Sequence, residues 1–295
     1  MVGATRYEES PMDIAVLGTG IMGAGMTRTL LREGHSVRAW NRSPDKATPL
    51  ADYGATVATS PGDAVRGSQA ALVTVFDTEA VLDVLESIAS DVGDAVILQS
   101  ATIGVDGTRR VDEAATRHGL TVIDAPVLGT REPAENGALV PLVSGDSTAI
   151  DRISPVLDAI GTKTIRVGPR IGDASALKLV CNAWIGSLTG ALAQSIALAE
   201  GLGLDPHLFL GAIAGGATDA PYAHLKGAAM IDGAYPTSFS VDGVIKDVGV
   251  IRAAAQEAGV PDDLLAAIEG MFQTTAALGH GNADMAAVRT AFGPS

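Results

Sequence analysis

Short apolar runs rich in β-branched residues alternate with amphipathic stretches from residue 13 to about residue 167. The apolar runs predict strands, and the stretches between them predict helices. Strands are predicted over residues 14–17, 37–40, 70–75, 95–98, 121–124, 140–143 and 164–167, and helices over residues 22–33, 44–53, 79–89 and 106–118. Strands that recur between helices indicate parallel βαβ units, and right-handed crossovers then give a doubly wound sheet.

The strand pattern ends after residues 168–172, and the remainder of the chain is typical of helices. Pro206 and Pro261 each lie beside an aspartate in the expected first turn of a helix, where proline is tolerated. Helices are predicted over residues 173–201, 205–214, 222–230, 240–258, 261–278 and 282–292. We therefore predict an α/β domain over residues 12–171, followed by an all-helical domain over residues 172–295.

Three small residues, Gly186, Gly190 and Ala191, lie along the predicted helix 173–201. Small side chains would let this helix pack against a copy of itself. We therefore expect a homodimer or homotetramer that forms through the helical domain.

Composition narrows the possible partners. The 295 residues carry a formal net charge of −14 and contain no block of lysines and arginines, which argues against a nucleic-acid partner. The single cysteine, Cys181, excludes an internal disulfide and a cysteine-based zinc site, and the five histidines lack the spacing of metal ligands. We expect a small-molecule ligand and no metal.

No uninterrupted apolar stretch reaches the roughly 20 residues that a membrane span requires. The predicted helix 173–201 comes nearest, but Lys178, Asn182 and Gln194 interrupt it, which favours a buried helix. Residues 1–11 lack the apolar core of a secretory signal. We expect a disordered extension over these residues, no membrane partner and a cytoplasmic protein.

A glycine motif, Gly18-Thr-Gly20-Ile-Met-Gly23, follows the first predicted strand and opens the first predicted helix. In that context Gly18 allows a tight turn, Gly20 lets the backbone approach a pyrophosphate, and Gly23 allows close packing of the helix on the sheet. The phosphates would lie at the N-terminus of the helix. The motif therefore predicts a Rossmann-type dinucleotide site. The predicted cofactor loop comprises Gly18, Thr19, Gly20, Ile21, Met22 and Gly23.

The second predicted strand is followed by Asn41-Arg42-Ser43, where an NAD-dependent enzyme normally carries an acidic residue for the ribose 2′-hydroxyl. Arg42 can pair with a 2′-phosphate, Asn41 and Ser43 can add hydrogen bonds, and no carboxylate is present to repel that phosphate. An exposed arginine in a turn before Pro44 is the alternative interpretation. The spacing favours NADP(H) as the cofactor.

Lys178 and Asn182 lie four residues apart in an otherwise apolar run, so both side chains project from one face of the predicted helix. An ammonium beside an amide could protonate and orient a polar substrate. Within this run alone, a surface lysine whose stem lies along the helix is the favoured interpretation.

Five motifs spread over residues 13–292 resemble those of the β-hydroxyacid dehydrogenases. This family contains 3-hydroxyisobutyrate dehydrogenase, tartronate semialdehyde reductase and the glyoxylate/succinic semialdehyde reductases. The motifs are the glycine loop with its continuation to residue 43, and the segments 100–104, 124–130, 168–182 and 239–247. The continuation from Pro133 through Glu135 to Gly137 is most similar to the glyoxylate/succinic semialdehyde reductase branch.

The resemblance implies a helical domain like that of 6-phosphogluconate dehydrogenase, which contributes to substrate binding and dimerisation. It also implies that hydride passes between the nicotinamide and a carbonyl carbon while Lys178 donates a proton to the carbonyl oxygen. Such a lysine needs a lowered pKa, which an apolar wall of Leu177, Leu179 and Val180 would provide. Asn182 would orient the carbonyl or the ammonium. The resemblance further implies cofactor contacts from Val75, Phe76, Thr102, Phe239 and Lys246, and substrate contacts from Leu128, Gly129, Thr130, Lys178 and Asn182.

Two positions depart from the family pattern. Leu128 and Ala101 each stand where the family usually has serine, although the backbone amides of Gly129 and Thr130 remain. Loss of two hydroxyl groups would suit a bulkier or less polar substrate than glyoxylate. Alternatively, both changes are neutral, and a substrate carboxylate is still held by backbone amides, Thr130 and Arg131.

The leading prediction is an NADPH-dependent oxidoreductase for a small aldehyde, keto acid or β-hydroxy acid, similar to glyoxylate/succinic semialdehyde reductase. A reductase of less polar carbonyls or imines is the alternative, although imine reductases generally replace the lysine by Asp or Tyr. A non-catalytic dinucleotide-binding scaffold or sensor is the alternative from another class. Such a scaffold would need none of Lys178, Asn182 and Lys246.

Overall fold

The computed structural model describes residues 11–293, and its contacts divide the chain into one unit that ends at Lys178 and another that begins at Leu179. The predicted disordered extension over residues 1–11 lies outside the described residues except for Pro11. The predicted domain boundary after residue 171 stays a prediction, because the division by contacts falls inside a helix.

Nine strands in the first unit form one mixed sheet, which confirms the predicted α/β fold with a doubly wound sheet. The strands are β1 (Asp13–Leu17), β2 (Ser36–Trp40), β3 (Thr56–Val57), β4 (Ala70–Val73), β5 (Val96–Gln99), β6 (Thr121–Asp124), β7 (Val127–Leu128), β8 (Val140–Ser144) and β9 (Ile165–Gly168). Their order is β3-β2-β1-β4-β5-β6-β8-β7, with β9 paired to β8. The order reverses between β1 and β4, which is where doubly wound sheets bind ligands.

The first six strands along this order run parallel, whereas β8 is antiparallel to both β6 and β7. The predicted parallel βαβ pattern therefore holds for these six strands and does not continue to β8. Parallel pairing needs a full crossover connection, usually a helix. The link from β6 to β8 contains only β7 and a helix of six residues, so the chain returns in the opposite direction.

Between residues 11 and 232, ten α-helices lie between or after the strands. They are α1 (Ile21–Arg32), α2 (Pro61–Val65), α3 (Thr78–Ile88), α4 (Gly104–His118), α5 (Arg131–Asn136), α6 (Ser147–Arg152), α7 (Ser154–Ile160), α8 (Asp173–Gly201), α9 (Pro206–Ile213) and α10 (Pro221–Asp232). Two further helices, α11 (Val241–Glu257) and α12 (Asp263–Thr275), precede a π-type turn at Ala276–His280 and a 3₁₀ segment at Met285–Phe292. The predicted helix 44–53 is instead two 3₁₀ turns, Pro44–Lys46 and Thr48–Tyr53.

Both faces of the sheet are buried. Along β1, Ile14 and Val16 belong to one apolar cluster, and Ala15 and Leu17 belong to the other. Successive side chains of a strand point to opposite faces, so an almost continuous apolar run is what a sheet covered on both sides requires. This burial fixes the carboxyl ends of the strands, which carry the loops described below.

The helical unit has an apolar core of its own, with Phe272 fully buried near its centre. Gly186 and Gly190 face this core, because a Cβ at Gly186 would lie 3.7 Å from Ile268 and one at Gly190 would lie 3.7 Å from Met271. The prediction that these two glycines pack against another copy of the chain was therefore wrong. They allow α11 and α12 to approach α8 within the same unit.

The exposed stripe of α8 comprises Val180, Trp184, Ala191 and Leu198, which repeat at intervals that keep them on one helical face. Within residues 11–293, α8 is the one helix that is long and apolar enough to cross a membrane, and 33% of its most apolar stretch is buried. A core helix of a soluble protein meets the same criteria. The expectation of a buried helix is correct for one face of α8 only.

Two prolines mark helix starts differently. Pro206 begins α9 after the capping residue Asp205, as predicted. Pro261 was predicted in a first turn but precedes α12, because the carbonyl of Asp262 accepts the first intrahelical hydrogen bond, from Ala266.

Candidate active site

The predicted cofactor loop connects β1 to α1 at the carboxyl edge of the sheet. Gly18 has a φ of 104°, and a Cβ there would lie 2.7 Å from the carbonyl oxygen of Thr74. At Gly23 a Cβ would lie 1.9 Å from the carbonyl oxygen of Gly18, so only glycine allows the first turn of α1 to lie this close to the loop. A Cβ at Gly20 would meet nothing within 4 Å. The space before Gly20 is therefore open to a ligand.

Thr19 supplies a second indication of a ligand at this loop. Its hydroxyl oxygen is buried and has no hydrogen-bond partner among the described residues. Buried polar atoms are almost always hydrogen-bonded, and the exceptions call for a missing partner. A ribose or pyrophosphate oxygen of a dinucleotide would supply that partner, so the loop residues fit a nicotinamide cofactor.

Two side chains hold the glycine loop in place. The Thr74 hydroxyl donates to the carbonyl of Gly18 at 2.5 Å, and the Asn41 carbonyl oxygen accepts from the backbone N–H of Thr19 at 2.9 Å. The Asn41 amide also donates to the carbonyl of Ser43 at 3.0 Å. Asn41 is predicted to contact the cofactor, but both polar ends of its side chain bond within the protein. It therefore joins the glycine loop to the turn that carries Arg42.

Arg42 and Ser43 are exposed beyond the end of β2, and neither residue 41 nor residue 42 carries a carboxylate. This arrangement leaves the guanidinium accessible to an anion. Val75 is half-buried after β4, and Phe76 is exposed. Thr102 is half-buried just before α4. All of these residues follow the carboxyl ends of β2, β4 and β5, so the fold brings this part of the predicted cofactor set to one edge.

Ala101 belongs to the apolar core and not to a surface pocket. It is buried in the cluster that includes Ile97 and Ile103, and its backbone N–H donates to the side chain of Gln99 at 2.7 Å. The Gln99 amide returns a hydrogen bond to the Ala101 carbonyl at 3.0 Å. This burial favours the alternative that the change at position 101 is neutral, because a core position normally carries an apolar side chain.

The predicted substrate loop follows β7. Leu128 is half-buried at the end of this strand, Gly129 is exposed with a φ of 123°, and Thr130 is half-buried. A Cβ at Gly129 would lie 2.7 Å from Leu139, so the turn needs glycine. The backbone N–H groups of Gly129 and Thr130 donate no hydrogen bond to another described residue. They remain available to an anionic ligand.

Helix α1 holds the short helix α5 that follows this loop. The Thr29 hydroxyl donates to the carbonyl of Ala134 at 2.9 Å, and Arg32 donates to the carbonyl of Glu135 at 2.8 Å. Arg28 pairs with the carboxylate of Glu135 at 2.6 Å. The motif from residue 133 to residue 137 therefore joins the predicted substrate loop to the helix that begins at the predicted cofactor loop.

Lys178 is half-buried in α8, five residues after the helix begins. The expected apolar wall is only partly formed by its neighbours. Leu179 is buried and Leu177 half-buried, whereas Val180 is 67% exposed. Including Val180 in the wall was wrong, because this residue belongs to the exposed stripe of α8.

In the helical unit, Asn182 and Lys246 converge on one carboxylate. The Asn182 amide donates to Oδ2 of Asp247 at 2.7 Å, and the Lys246 ammonium lies 2.8 Å from Oδ1. Asp247 is buried, and Oδ1 receives no well-aligned hydrogen bond from the described residues. Its adjacency to Lys246 in the fifth motif was the only sequence signal for it. Asp247 is therefore a candidate site residue that the sequence prediction did not include.

Phe239 lies two residues before α11, and its ring occupies the space beside Gly243. A Cβ at Gly243 would lie 2.8 Å from that ring. The buried carboxylate of Asp284 accepts from the Ser238 backbone at 2.9 Å and from Lys226 at 2.6 Å. These bonds fix the segment that presents Phe239. In residues 11–293 no group of three or more His, Cys, Asp or Glu side chains could hold a metal ion.

Comparison with known families gives two matches that together span nearly the whole chain. Residues 13–168 match the NAD binding domain of 6-phosphogluconate dehydrogenase. Residues 172–292 match the NAD-binding domain of NADP-dependent 3-hydroxyisobutyrate dehydrogenase.

Individual proteins point the same way. Glyoxylate/succinic semialdehyde reductase 1 from Arabidopsis thaliana is 31% identical over 287 residues, which cover 94% of this chain and 97% of the plant protein. The solved structure of 3-hydroxyisobutyrate dehydrogenase from Mycobacterium tuberculosis with L-serine is 27% identical, with a TM-score of 0.86, and covers 97% of this chain and 100% of that chain.

An imine reductase from Pseudomonas sp. has a TM-score of 0.64 at 23% identity, covers 96% of this chain and 99% of that one, and shows a shared fold only. The family matches, the plant relative and the glycine loop agree on an NAD(P)-dependent oxidoreductase. The chain belongs to the 3-hydroxyisobutyrate dehydrogenase-like family.

Proposed function

We propose that the protein is an NADPH-dependent reductase of short aldehydes and keto acids, similar to the glyoxylate/succinic semialdehyde reductases. The observation that carries the proposal is the pair Lys178 and Asn182, one turn apart on α8, with the Asn182 amide fixed by Asp247. A surface lysine beside an idle amide would not need a buried carboxylate to orient that amide. The plant relative named above supports the same substrate class.

The residues of the glycine loop would hold the pyrophosphate, with Thr19 donating from its hydroxyl. When bound, the cofactor supplies the hydride. Arg42 would pair with the 2′-phosphate, and this contact would make the protein prefer NADPH over NADH. Val75, Phe76 and Thr102 are proposed as further contacts from the sheet edge, and Phe239 and Lys246 as contacts from the helical unit.

Lys178 would donate a proton to the oxygen of the substrate carbonyl, and its neutral amine would accept that proton in the reverse direction. The Asn182 amide, turned by Asp247, would orient the carbonyl or the ammonium. The open backbone N–H groups of Gly129 and Thr130 would bind a substrate carboxylate.

The test is an NADPH oxidation assay with glyoxylate, succinic semialdehyde, methylmalonate semialdehyde, uncharged aldehydes and imines. Lys178→Ala removes the proposed proton donor. It should lower kcat on the best substrate by about 10²- to 10⁴-fold, which is the usual contribution of a general acid. NADPH affinity, measured by fluorescence titration, should stay near that of the wild type. Substantial residual turnover would refute the proton-donor role, and no turnover of any compound by the wild type would favour a non-catalytic scaffold.

A second candidate function is the reduction of less polar carbonyls or imines, which Leu128 favours. An apolar side chain replaces the family's serine hydroxyl at this position. Leu128→Ser distinguishes the two candidates within one assay. If the leucine selects uncharged substrates, the serine variant gains activity on glyoxylate and loses it on uncharged aldehydes, whereas unchanged ratios mean that backbone amides hold the carboxylate in both proteins.

We also propose that the protein assembles as a homodimer or homotetramer through the helical unit. The exposed stripe of α8, which includes Trp184 at 66% exposure, supports this proposal. Monomeric proteins rarely expose a large apolar patch, so such a patch often marks an interaction surface.

A further inference from the structure

The first turn of α8 is capped from a distant strand. The first backbone N–H groups of a helix have no partner inside the helix, and Gly172 just before α8 offers no side chain to bind them. Instead, the N–H of Ser175 donates to Oδ2 of Asp124 at 2.7 Å, and the N–H of Gly172 donates to the same oxygen at 3.1 Å. The N–H of Ala174 donates to the Ser144 hydroxyl at 3.0 Å.

Asp124 is the last residue of β6 and is fully buried. Its second oxygen, Oδ1, accepts the Ser175 hydroxyl at 2.8 Å, so one residue of the helix is held at two points. Burial raises the pKa of the Asp124 carboxyl, and the hydrogen bonds from Ser175 and Gly172 oppose that rise. Each oxygen of a fully buried carboxylate is thus engaged by the start of α8.

Other helices of the same unit are capped locally. Asp77 caps α3 and Asp146 caps α6, each through the backbone N–H three residues later. A local cap stabilises a helix without fixing where it lies. The Asp124–Ser175 bonds join residues 51 apart in sequence and therefore also fix the helix to the end of β6.

Lys178 follows Ser175 by three residues and shares its side of the helix. Two bonds to Ser175 set both the position and the rotation of the first turn, and the direction of the lysine stem depends on that rotation. We propose that Asp124 is a positioning residue that aims Lys178 by holding the first turn of α8. This inference rests on the proposed proton-donor role of Lys178.

Asp124→Asn provides the direct test. Asparagine has nearly the same size, but its NH₂ group cannot accept one of the bonds from Ser175. We expect kcat with succinic semialdehyde and NADPH to fall by about tenfold to 10²-fold, because a misplacement of about 1 Å costs up to that much. NADPH affinity should be unchanged. Ser175→Ala keeps the backbone bond to Asp124 but loses the hydroxyl bonds to Asp124 and Thr108, and it should give a smaller fall.

The matched control is Asp146→Ala. This variant removes a helix cap of the same unit, the bond of 2.8 Å from Ala149, without touching α8. Its kcat should stay within about twofold of the wild type, although its melting temperature should fall as expected for a lost cap. An equal loss of kcat in Asp146→Ala and Asp124→Asn would attribute both effects to general destabilisation and overturn the inference.

A double-mutant cycle separates positioning of Lys178 from any other role. Single-turnover NADPH oxidation is measured for Asp124→Asn, Lys178→Ala and the double variant. If Asp124 acts through Lys178, its replacement has no further effect once the lysine is absent. The same factor in both backgrounds would overturn the inference. If Asp124→Asn does not fold, the cycle is run with Ser175→Ala and decides in the same way.

The outcomes also separate this inference from the proposed function. Near-normal turnover by Lys178→Ala overturns both. An inactive Lys178→Ala together with a fully active Asp124→Asn overturns the positioning role alone.

Discussion

The Asn182 amide donates to Oδ2 of Asp247 at 2.7 Å, and this bond sets the orientation of the amide. One N–H of the amide faces the buried carboxylate, which leaves the second N–H as a donor and the carbonyl oxygen as an acceptor. The donor suits the proposed orientation of a substrate carbonyl, and the acceptor suits that of an ammonium.

Asp247→Ala should release this orientation. A hydrogen bond to a charged group contributes about 1.5–3 kcal/mol, so we expect kcat/KM for the aldehyde to fall by about tenfold or more. Steady-state kinetics with NADPH held at saturation would measure the change. Asp262→Ala is the control in the same unit, because it removes a half-buried carboxylate bound to Arg252 at 2.7 Å. Equal losses in the two variants would contradict a specific role for Asp247.

Asn41→Asp should shift the cofactor preference toward NADH. The new carboxylate can still accept the backbone N–H of Thr19 but loses the hydrogen bond to the Ser43 carbonyl. It would repel the 2′-phosphate and bind a ribose 2′-hydroxyl. We expect the ratio of kcat/KM for NADPH to that for NADH to fall by at least about tenfold, since one charge-assisted bond has that effect. Asn41→Ala is the comparison. An unchanged ratio in the aspartate variant would place the 2′-phosphate away from this turn.

Gly20→Ala and Gly23→Ala should both abolish NADPH binding, but for different reasons. A Cβ at Gly23 would lie 1.9 Å from the Gly18 carbonyl, so this variant should also lose thermal stability. A Cβ at Gly20 meets nothing within 4 Å, so that variant should fold normally and fail only when a pyrophosphate approaches. Melting temperatures and fluorescence titrations with NADPH would separate the two. Tight NADPH binding by Gly20→Ala would disprove the predicted position of the pyrophosphate.

The buried pair Lys226–Asp284 should make stability depend on acid pH. Burial alone raises the pKa of Asp284, but hydrogen bonds from Lys226 and Ser238 outweigh it and hold this pKa below its usual value. Such a carboxyl adds stability above its unfolded pKa of about 4, and that stability disappears as the pH falls through the lower folded value. Urea denaturation at a series of pH values from neutral to acid should show this loss, and Asp284→Asn should show less of it.

Removing only the lysine of this pair should be costly at neutral pH. Lys226→Met leaves the buried carboxylate without its ammonium, and breaking such a pair from one side costs about 3–5 kcal/mol. The free energy of unfolding in urea at pH 7 gives the measurement. A cost below about 1 kcal/mol would mean that Ser238 and the backbone N–H groups suffice to stabilise Asp284.

Trp184→Glu should weaken the proposed assembly. A charge in the centre of the exposed stripe of α8 would have to be buried without a partner. Light scattering after size-exclusion chromatography should show a shift toward the monomer. Gln194→Glu, at another exposed position of the same helix, is the comparison and should have a smaller effect. A wild type that is monomeric at all concentrations would exclude the assembly.

The long elements and the cofactor loop could be predicted from sequence because their signals are local. The strand 121–124 and the helix 173–201 were placed within the observed bounds, since periodicity over many residues defines them. Short elements such as β7 and α5 were missed because two to six residues carry no periodicity. Asp124 and Asp247 were missed for another reason. Their partners lie 51 and 65 residues away, and no local pattern records such a bond.

The two departures from the family pattern also could not be separated by sequence. Ala101 and Leu128 look alike as replacements of serine. In the structure, however, Ala101 is buried in the core, and Leu128 is half-buried beside the exposed Gly129. Burial depends on what the fold brings opposite each residue. For the same reason, the sequence could not show which apolar residues of α8 are exposed.

The attachment of α5 to α1 bears on how substrate range can change within this family. Thr29 and Arg32 hold α5 by its backbone carbonyls, which are present whatever side chains the neighbouring loop carries. If the loop binds substrate as proposed, a substitution at Leu128 would alter what the loop recognises without breaking the attachment of α5. Position 128 would then be free to diversify while the cofactor helix stays constant, and one scaffold would have an evolutionary route to new substrates by single replacements.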